Sequence, residues 1–112
     1  MTALAISLAF EPLRTLAAGS ISPTYAAIGT PLANPSRQIY IVNATDVLLF
    51  FSLDGVNDHF VIPAGSYWLN DISSNKTRQG GTFNIAANTT IYVAGSPSMN
   101  SVYLTTAYGI NV

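Results

Sequence analysis

The sequence contains no cysteine and very little charge. Without cysteine the chain can form neither a disulfide framework nor a thiolate zinc site, and it has no thiol nucleophile. Only 8% of its residues are charged, whereas an average soluble domain has roughly 25%. Because surface charge usually keeps an isolated monomer soluble, this composition predicts that partners or copies of the same chain cover part of the surface.

Basic residues are scarce and scattered along the chain. The net charge is −1, and the four basic residues are Arg14, Arg37, Lys76 and Arg78. A nucleic-acid-binding domain needs clustered lysine and arginine to neutralise phosphates. The sequence therefore predicts that this protein binds no nucleic acid.

Long apolar runs are also missing. The opening run, "MTALAISLAF", stops at Glu11-Pro12, so it is too short to span a membrane, and it lacks the positive start of a signal peptide. We expect neither membrane insertion nor secretion. Bulky and small residues alternate in this run, which is typical of a strand with one bulky face; the bulky ones are Leu4, Ile6, Leu8 and Phe10.

Most of the remaining chain reads as short strands separated by turn residues. The segments rich in Val, Ile, Thr, Tyr and Phe are 37–44, 46–53, 59–65, 66–72, 81–87, 89–95 and 101–110. Short strands at intervals of about ten residues, with no helical period between them, predict an antiparallel sandwich or barrel. We expect a single all-β domain, a jelly-roll-like antiparallel β-sandwich with less than about one-fifth helix.

The first third of the chain has a different character. Four of the six prolines and many small residues lie in 11–36, with little alternation. We therefore predict an N-terminal strand and extended arm over 1–36, with one or two short strands within it, followed by a β-sandwich body over 37–112. The arm carries apolar side chains that a free tail would expose, so we expect it to pack on a neighbouring subunit, with packing on its own body as the alternative.

The only histidine lies in "DGVNDH", residues 54–59, between two apolar runs. Asp54-Gly55 is a strong turn signal, because glycine tolerates positive φ and aspartate can hydrogen-bond its own turn. The simplest interpretation is two antiparallel strands joined at 54–58.

Three kinds of chemical site at this turn are disfavoured. A calcium site at Asp54, Asn57 and Asp58 lacks the ligand spacing and closing glutamate of an EF-hand loop. A triad of Ser52, His59 and Asp58 or Asp54 is disfavoured because Asp58, next to His59 on a strand, would point to the opposite face, and because no glycine-flanked nucleophile elbow is present. A transition metal at His59 lacks companion ligands. The sequence predicts no enzyme activity, no metal and no cofactor.

Two adjacent aromatic residues, Tyr67 and Trp68, suggest an interface. Because successive strand residues face opposite sides, we expect one ring in the core and the other over an edge or a partner. The alternative is a sugar-stacking aromatic at Tyr67, Trp68 or Tyr92. The candidate interface residues, from the arm and from this pair, are Leu13, Leu16, Ile21, Tyr25, Ile28, Leu32, Tyr67 and Trp68.

Three stretches of the chain form a recognisable order: "FEPLRTLAAGSISPTYAAIGTPLANPSR", "NATDVLLFFSLDGVNDHFVIPAGS" and the strand "SVYLT". With these stretches nearly the whole chain, residues 10 to 109, resembles small virion structural proteins of tailed bacteriophages. The resemblance implies a β-sandwich in a phage particle, assembled in the host cytoplasm. It implies a capsid cement or decoration protein that contacts the major capsid protein or other virion proteins, or a neck or tail subunit (adaptor, collar or tail).

Two further expectations accompany this resemblance. We expect the protein to form homo-oligomers, because its low charge suits a surface that is covered in an assembly. A carbohydrate-binding β-sandwich remains the alternative from a different functional class.

Overall fold

The computed structural model describes residues 6–71 and 85–111, which form two packed antiparallel β-sheets. No α-helix occurs among these residues; one 3₁₀ turn, Ala18–Ser20, follows the second strand. The nine strands are β1 (Ile6–Phe10), β2 (Arg14–Ala17), β3 (Ala26–Ala27), β4 (Gln38–Asn43), β5 (Leu49–Ser52), β6 (Phe60–Ile62), β7 (Tyr67–Asp71), β8 (Tyr92–Ala94) and β9 (Ser101–Asn111). The prediction of an all-β sandwich is confirmed.

The strand pairing follows a nested pattern. The first sheet has the order β1-β9-β4-β7, with β2 also paired to β9, and the second has the order β3-β8-β5-β6. Within this order β2 pairs with β9, β3 with β8, β4 with β7 and β5 with β6, all antiparallel. The chain is thus one long hairpin rolled up so that its paired strands alternate between two sheets. This arrangement is a jelly roll, as predicted.

Six of the seven predicted strands in the body are present, as β4 to β9. The seventh, over 81–87, lies mostly outside the described residues, and so does Leu4 of the predicted first strand. In its described part, Ile85 forms an isolated antiparallel bridge with Ser36 and packs against the core.

The core lies between the inner faces of the two sheets. Alternation in β4 and β9 directs aliphatic side chains inward, and these meet Phe51 of β5 and Val93 of β8. Phe60 of the second sheet stacks on Trp68 of the first, with ring centroids 4.4 Å apart. The buried residues of the central core cluster are Ile21, Ile28, Ile39, Ile41, Leu49, Phe51, Ile62, Ile91, Val93, Val102 and Leu104.

The N-terminal segment belongs to this core. Ile21, Ile28 and Leu32 are buried within the same chain, and the strands β2 and β3 are members of the two sheets. Of the two packings that the sequence left open for the arm, packing on the chain's own body holds for these three residues, and the expectation of a neighbouring subunit is wrong for them. The physical reason is that the short strands and their proline-containing links bring Ile21 and Ile28 into the core cluster and bury Leu32 as well.

A buried ion pair fixes this segment to the first sheet. The Arg14 guanidinium lies 2.7 Å from the Glu11 carboxylate, and both side chains are almost fully buried. Arg14 also donates to the carbonyls of Thr30 and Pro31, at 2.8 and 3.0 Å. Glu11 accepts hydrogen bonds from both the backbone and the side chain of Asn34. The pair therefore joins the start of β2 to residues far along the segment.

Candidate interaction surfaces

The turn that holds the only histidine is a hairpin loop, as predicted, because β5 and β6 pair antiparallel on either side of it. Asp54 organises the loop. Its carboxylate accepts hydrogen bonds from the Ser52 hydroxyl, from the backbone of Val56 and from the backbone and side chain of Asn57, all at 2.8 to 2.9 Å. The polar atoms of this aspartate are thus used to close the turn.

Electrostatics agree with a structural role for this loop. Hydrogen bonds from Asn57, Val56 and Ser52 hold the pKa of Asp54 well below its usual range. His59 accepts a hydrogen bond from the Leu53 backbone through Nδ1 at 2.9 Å, and its Nε2 lies 3.8 Å from the Asp54 carboxylate. Within residues 6–71 and 85–111, no group of three or more His, Cys, Asp or Glu side chains could hold a metal ion.

The structure separates the other candidate interface residues. Leu16 and Trp68 are partly buried and pack against the core, so neither is a free anchor for a partner. Tyr25 is half-buried. Leu13 and Tyr67 are 60% and 64% exposed. As expected for adjacent strand residues, Trp68 faces the core and Tyr67 faces outward.

Tyr67 belongs to a larger exposed surface, which we call the tyrosine face: Tyr40, Tyr67, Leu69 and Tyr103 on the outer side of the first sheet. The register places Tyr67 opposite Val42 and Val42 opposite Tyr103, so strands β7, β4 and β9 contribute neighbouring positions. The Tyr40 and Tyr67 rings contact each other, with centroids 5.4 Å apart. Leu69 is 52% exposed. None of the four side chains is charged, so this is an aromatic and aliphatic surface on a paired sheet.

The sequence contains a pattern that predicts this surface, although Tyr40 and Tyr103 were not among the candidate interface residues. Tyr40 alternates with the buried Ile39 and Ile41 in β4. Tyr103 alternates in the same way with Val102 and Leu104 in β9. An aromatic residue between aliphatic neighbours at period two indicates the outer face of a strand.

A groove of about 490 Å³ lies on the second sheet. Two polar side chains of its lining are joined, because the Tyr25 hydroxyl donates a hydrogen bond to the Asp58 side chain. Burial, this hydrogen bond and the negative charges of Asp58 and Asp54 raise the pKa of Tyr25 to about 12. The lining residues are Pro23, Tyr25, Val47, Leu48, Phe50, Asp58, Ala94, Gly95 and Ser96.

Comparison of the chain with models of protein families, with curated proteins and with solved structures gives no match. Among the residues that the structure describes, no helix is long and apolar enough to cross a membrane. The two surfaces and the sequence resemblance are therefore the basis on which a function is inferred.

Proposed function

We propose that the protein is a structural component of a phage particle that attaches to other virion proteins through the tyrosine face. The preferred role is a capsid cement or decoration protein that binds the major capsid protein and stabilises the head. A neck or tail subunit is the alternative within the same class. The observation that carries the proposal is the cluster of exposed, uncharged Tyr40, Tyr67, Leu69 and Tyr103 side chains on one sheet face.

The chemistry of this face suits a protein interface. Tyrosine is enriched among the residues that dominate binding energy, because its ring buries a large area and its hydroxyl can hydrogen-bond. Contiguous exposed apolar patches mark interaction sites in soluble proteins. The ladder that pairs β7, β4 and β9 holds the backbone of the face in place, so binding orders few additional groups.

Binding to several copies of a lattice protein would strengthen attachment through such a contact. A subunit that meets several lattice proteins at once gains affinity from effective concentration, even where each contact is weak. A ligand that binds only the assembled lattice stabilises it by mass action. The jelly-roll fold occurs in viral capsid proteins and in lectins. The fold is therefore compatible with both functional classes, and the surface chemistry must distinguish them.

Leu69→Lys is expected to weaken attachment to the particle. The substitution places a charge on the apolar face directly opposite Tyr40, where burial against a partner would desolvate it. We expect affinity to fall by about 30-fold, which corresponds to about 2 kcal/mol. The measurement is co-sedimentation of purified protein with particles assembled without it, over a range of protein concentrations.

Val61→Lys is the matched control for this experiment. Val61 is 46% exposed, close to Leu69 in accessibility, but it lies on β6 of the second sheet. It should retain wild-type co-sedimentation. Equal loss in the two variants, or no attachment of the wild-type protein, would reject the tyrosine face as the attachment surface.

The groove on the second sheet favours a second candidate function, carbohydrate recognition. Its volume is within the range of small-molecule sites, roughly 300 to 1,000 Å³. It combines the Phe50 ring with the polar groups of Tyr25, Asp58 and Ser96. A sugar presents apolar ring faces for stacking and hydroxyl groups for hydrogen bonding, so such a lining can accept one. Phe50 was not among the residues that the sequence suggested for sugar stacking. One of those residues, Trp68, packs against the core.

A glycan array probed with the wild-type protein and with Phe50→Ala checks this second candidate. Carbohydrate recognition predicts specific glycan signals that fall at least about tenfold in Phe50→Ala, because the stacking ring is removed. Tyr103→Ala, on the other sheet, should keep them. An array without signals, or signals that Phe50→Ala leaves intact, would exclude the groove as a sugar site.

A further inference from the structure

The two terminal strands form a ribbon beyond the end of the sandwich. Strand β9 pairs with β4 only as far as Ala107, and its last residues pair with β1. The chain measures 54 × 23 × 21 Å, long in one direction. The ribbon exposes the apolar side chains of Leu8, Phe10 and Ile110. A two-stranded ribbon is marginally stable in water by itself.

Among the described residues, no strand pairs with the outer edge of β1, so its backbone groups are open there. The Glu11 amide donates to the Thr106 carbonyl at 3.1 Å, and antiparallel partners alternate between bonded and non-bonded pairs. Because every second residue before Glu11 repeats this bonded arrangement, Ser7 and Ala9 direct their backbone groups toward β9. Leu8 and Phe10 therefore direct their N–H and C=O groups away from β9, along the edge of the first sheet.

The β1 edge lacks the sequence features that usually prevent an edge strand from pairing with another chain. Proteins protect edge strands with charged side chains, proline or bulges. The strand "ISLAF" has no charge and no proline, and its register with β9 is continuous over all five residues. Because the edge carries no charge, a second copy of the same edge meets no like-charge repulsion.

We propose that β1 pairs antiparallel with β1 of a second copy of this chain, across a two-fold axis at Leu8. Leu8 then lies opposite Leu8 of the second copy and exchanges two backbone hydrogen bonds with it, and Phe10 lies opposite Ile6 of the second copy. The contact is isologous and closes at a dimer. Directly opposite residues share a sheet face, so the tyrosine faces of both copies lie on the same side. The pairing does not depend on the proposed virion function.

Sedimentation velocity of the purified full chain tests the dimer. The wild-type protein should sediment as a dimer, and Leu8→Lys should raise the dimer dissociation constant by about tenfold or more, because two lysines then face each other at the axis. Leu13→Lys is the control, since Leu13 is 60% exposed but lies outside β1; it should remain dimeric. A monomeric wild-type protein, or a Leu8→Lys variant as dimeric as wild type, overturns the proposal.

Crosslinking gives an independent geometric test. The chain has no cysteine, so a single introduced thiol reports only its own position. Bonded partners in antiparallel sheets have Cα atoms about 5.5 Å apart, which a short bismaleimide can bridge. Leu8→Cys should give a covalent dimer on gels, and Leu13→Cys should not, with circular dichroism showing both variants folded. Equal crosslinking at the two positions contradicts pairing at Leu8.

Discussion

Replacing Asn43 with aspartate is expected to remove most or all of the folding stability. Asn43 is fully buried at the end of β4. Its side-chain nitrogen donates to the carbonyls of Val47, Ile62 and Pro63, at 2.9, 2.8 and 3.2 Å. Its side-chain oxygen accepts from the Thr45 backbone at 3.0 Å. One carboxamide thus joins the turn before β5 to the turn after β6.

Aspartate has the same shape but no donor. The substitution places a carboxylate oxygen against three carbonyl oxygens, and each buried acceptor that loses its donor costs about 1–3 kcal/mol. A buried unpaired charge adds to this cost. We expect a loss of at least about 4 kcal/mol, which is most of the stability of a marginally stable domain. Urea unfolding at neutral pH, followed by far-UV circular dichroism, measures it.

Asn88→Asp provides the matched control for the chemical change. Asn88 is exposed, and it has a positive φ of 73°, which aspartate also tolerates. This variant should stay within about 0.5 kcal/mol of wild type. If Asn43→Asp and Asn88→Asp unfolded at similar urea concentrations, the carboxamide at position 43 would not be the junction that we describe.

The parts of the fold that were predictable are those with local signals. Asp54-Gly55 marked the hairpin, and period-two alternation marked β4 and β9, because both signals act between residues close in sequence. The role of Asn43 was not predictable in this way. In the sequence it is one more polar residue at a turn, and its burial depends on Ile62 and Pro63, which reach it only after two sheets have packed.

Short strands were expected in the N-terminal segment, but their pairing was not predictable, for the same physical reason. Strands of four and two residues, β2 and β3, are too short to show which face they bury. The bonds that hold them are long-range, as where the Ile28 amide donates to the Ile91 carbonyl at 2.8 Å. The exposed surface was only partly predictable. Tyr67 was identified from its neighbour Trp68, but its contact with Tyr40 depends on the register of β4 and β7.

Removing the charge of Arg14 is expected to destabilise the protein by about 3–5 kcal/mol, because it leaves the buried Glu11 carboxylate without its cation. Arg14→Met keeps the length of the aliphatic stem and removes the donors to Thr30 and Pro31 as well. Replacing a buried pair on both sides costs much less than breaking it. The double variant Glu11→Gln, Arg14→Met should therefore be more stable than Arg14→Met alone.

A double-mutant cycle of urea unfolding free energies measures this coupling. Glu11→Gln, Arg14→Met and the double variant are compared with wild type, and we expect an interaction energy of about 1–3 kcal/mol, as for residues in one buried network. Strict additivity of the two single substitutions would show that the ion pair does not hold the segment. It would then leave the burial of Ile28 and Leu32 as the main link between this segment and the sheets.

The pH dependence gives the same pair a second signature. Burial raises the pKa of Glu11, but hydrogen bonds from Arg14, Asn34 and the Ala33 backbone outweigh it, so the pKa lies below its ordinary value of 4.5. A group whose folded pKa is lowered contributes its full stability above the unfolded pKa and loses it as the pH falls through the folded value. The stability difference between wild type and Glu11→Gln should therefore be constant above about pH 5.5 and shrink below 4.5. A difference that stayed unchanged down to pH 3 would mean that the Glu11 carboxylate is no better stabilised in the folded chain than in the unfolded one.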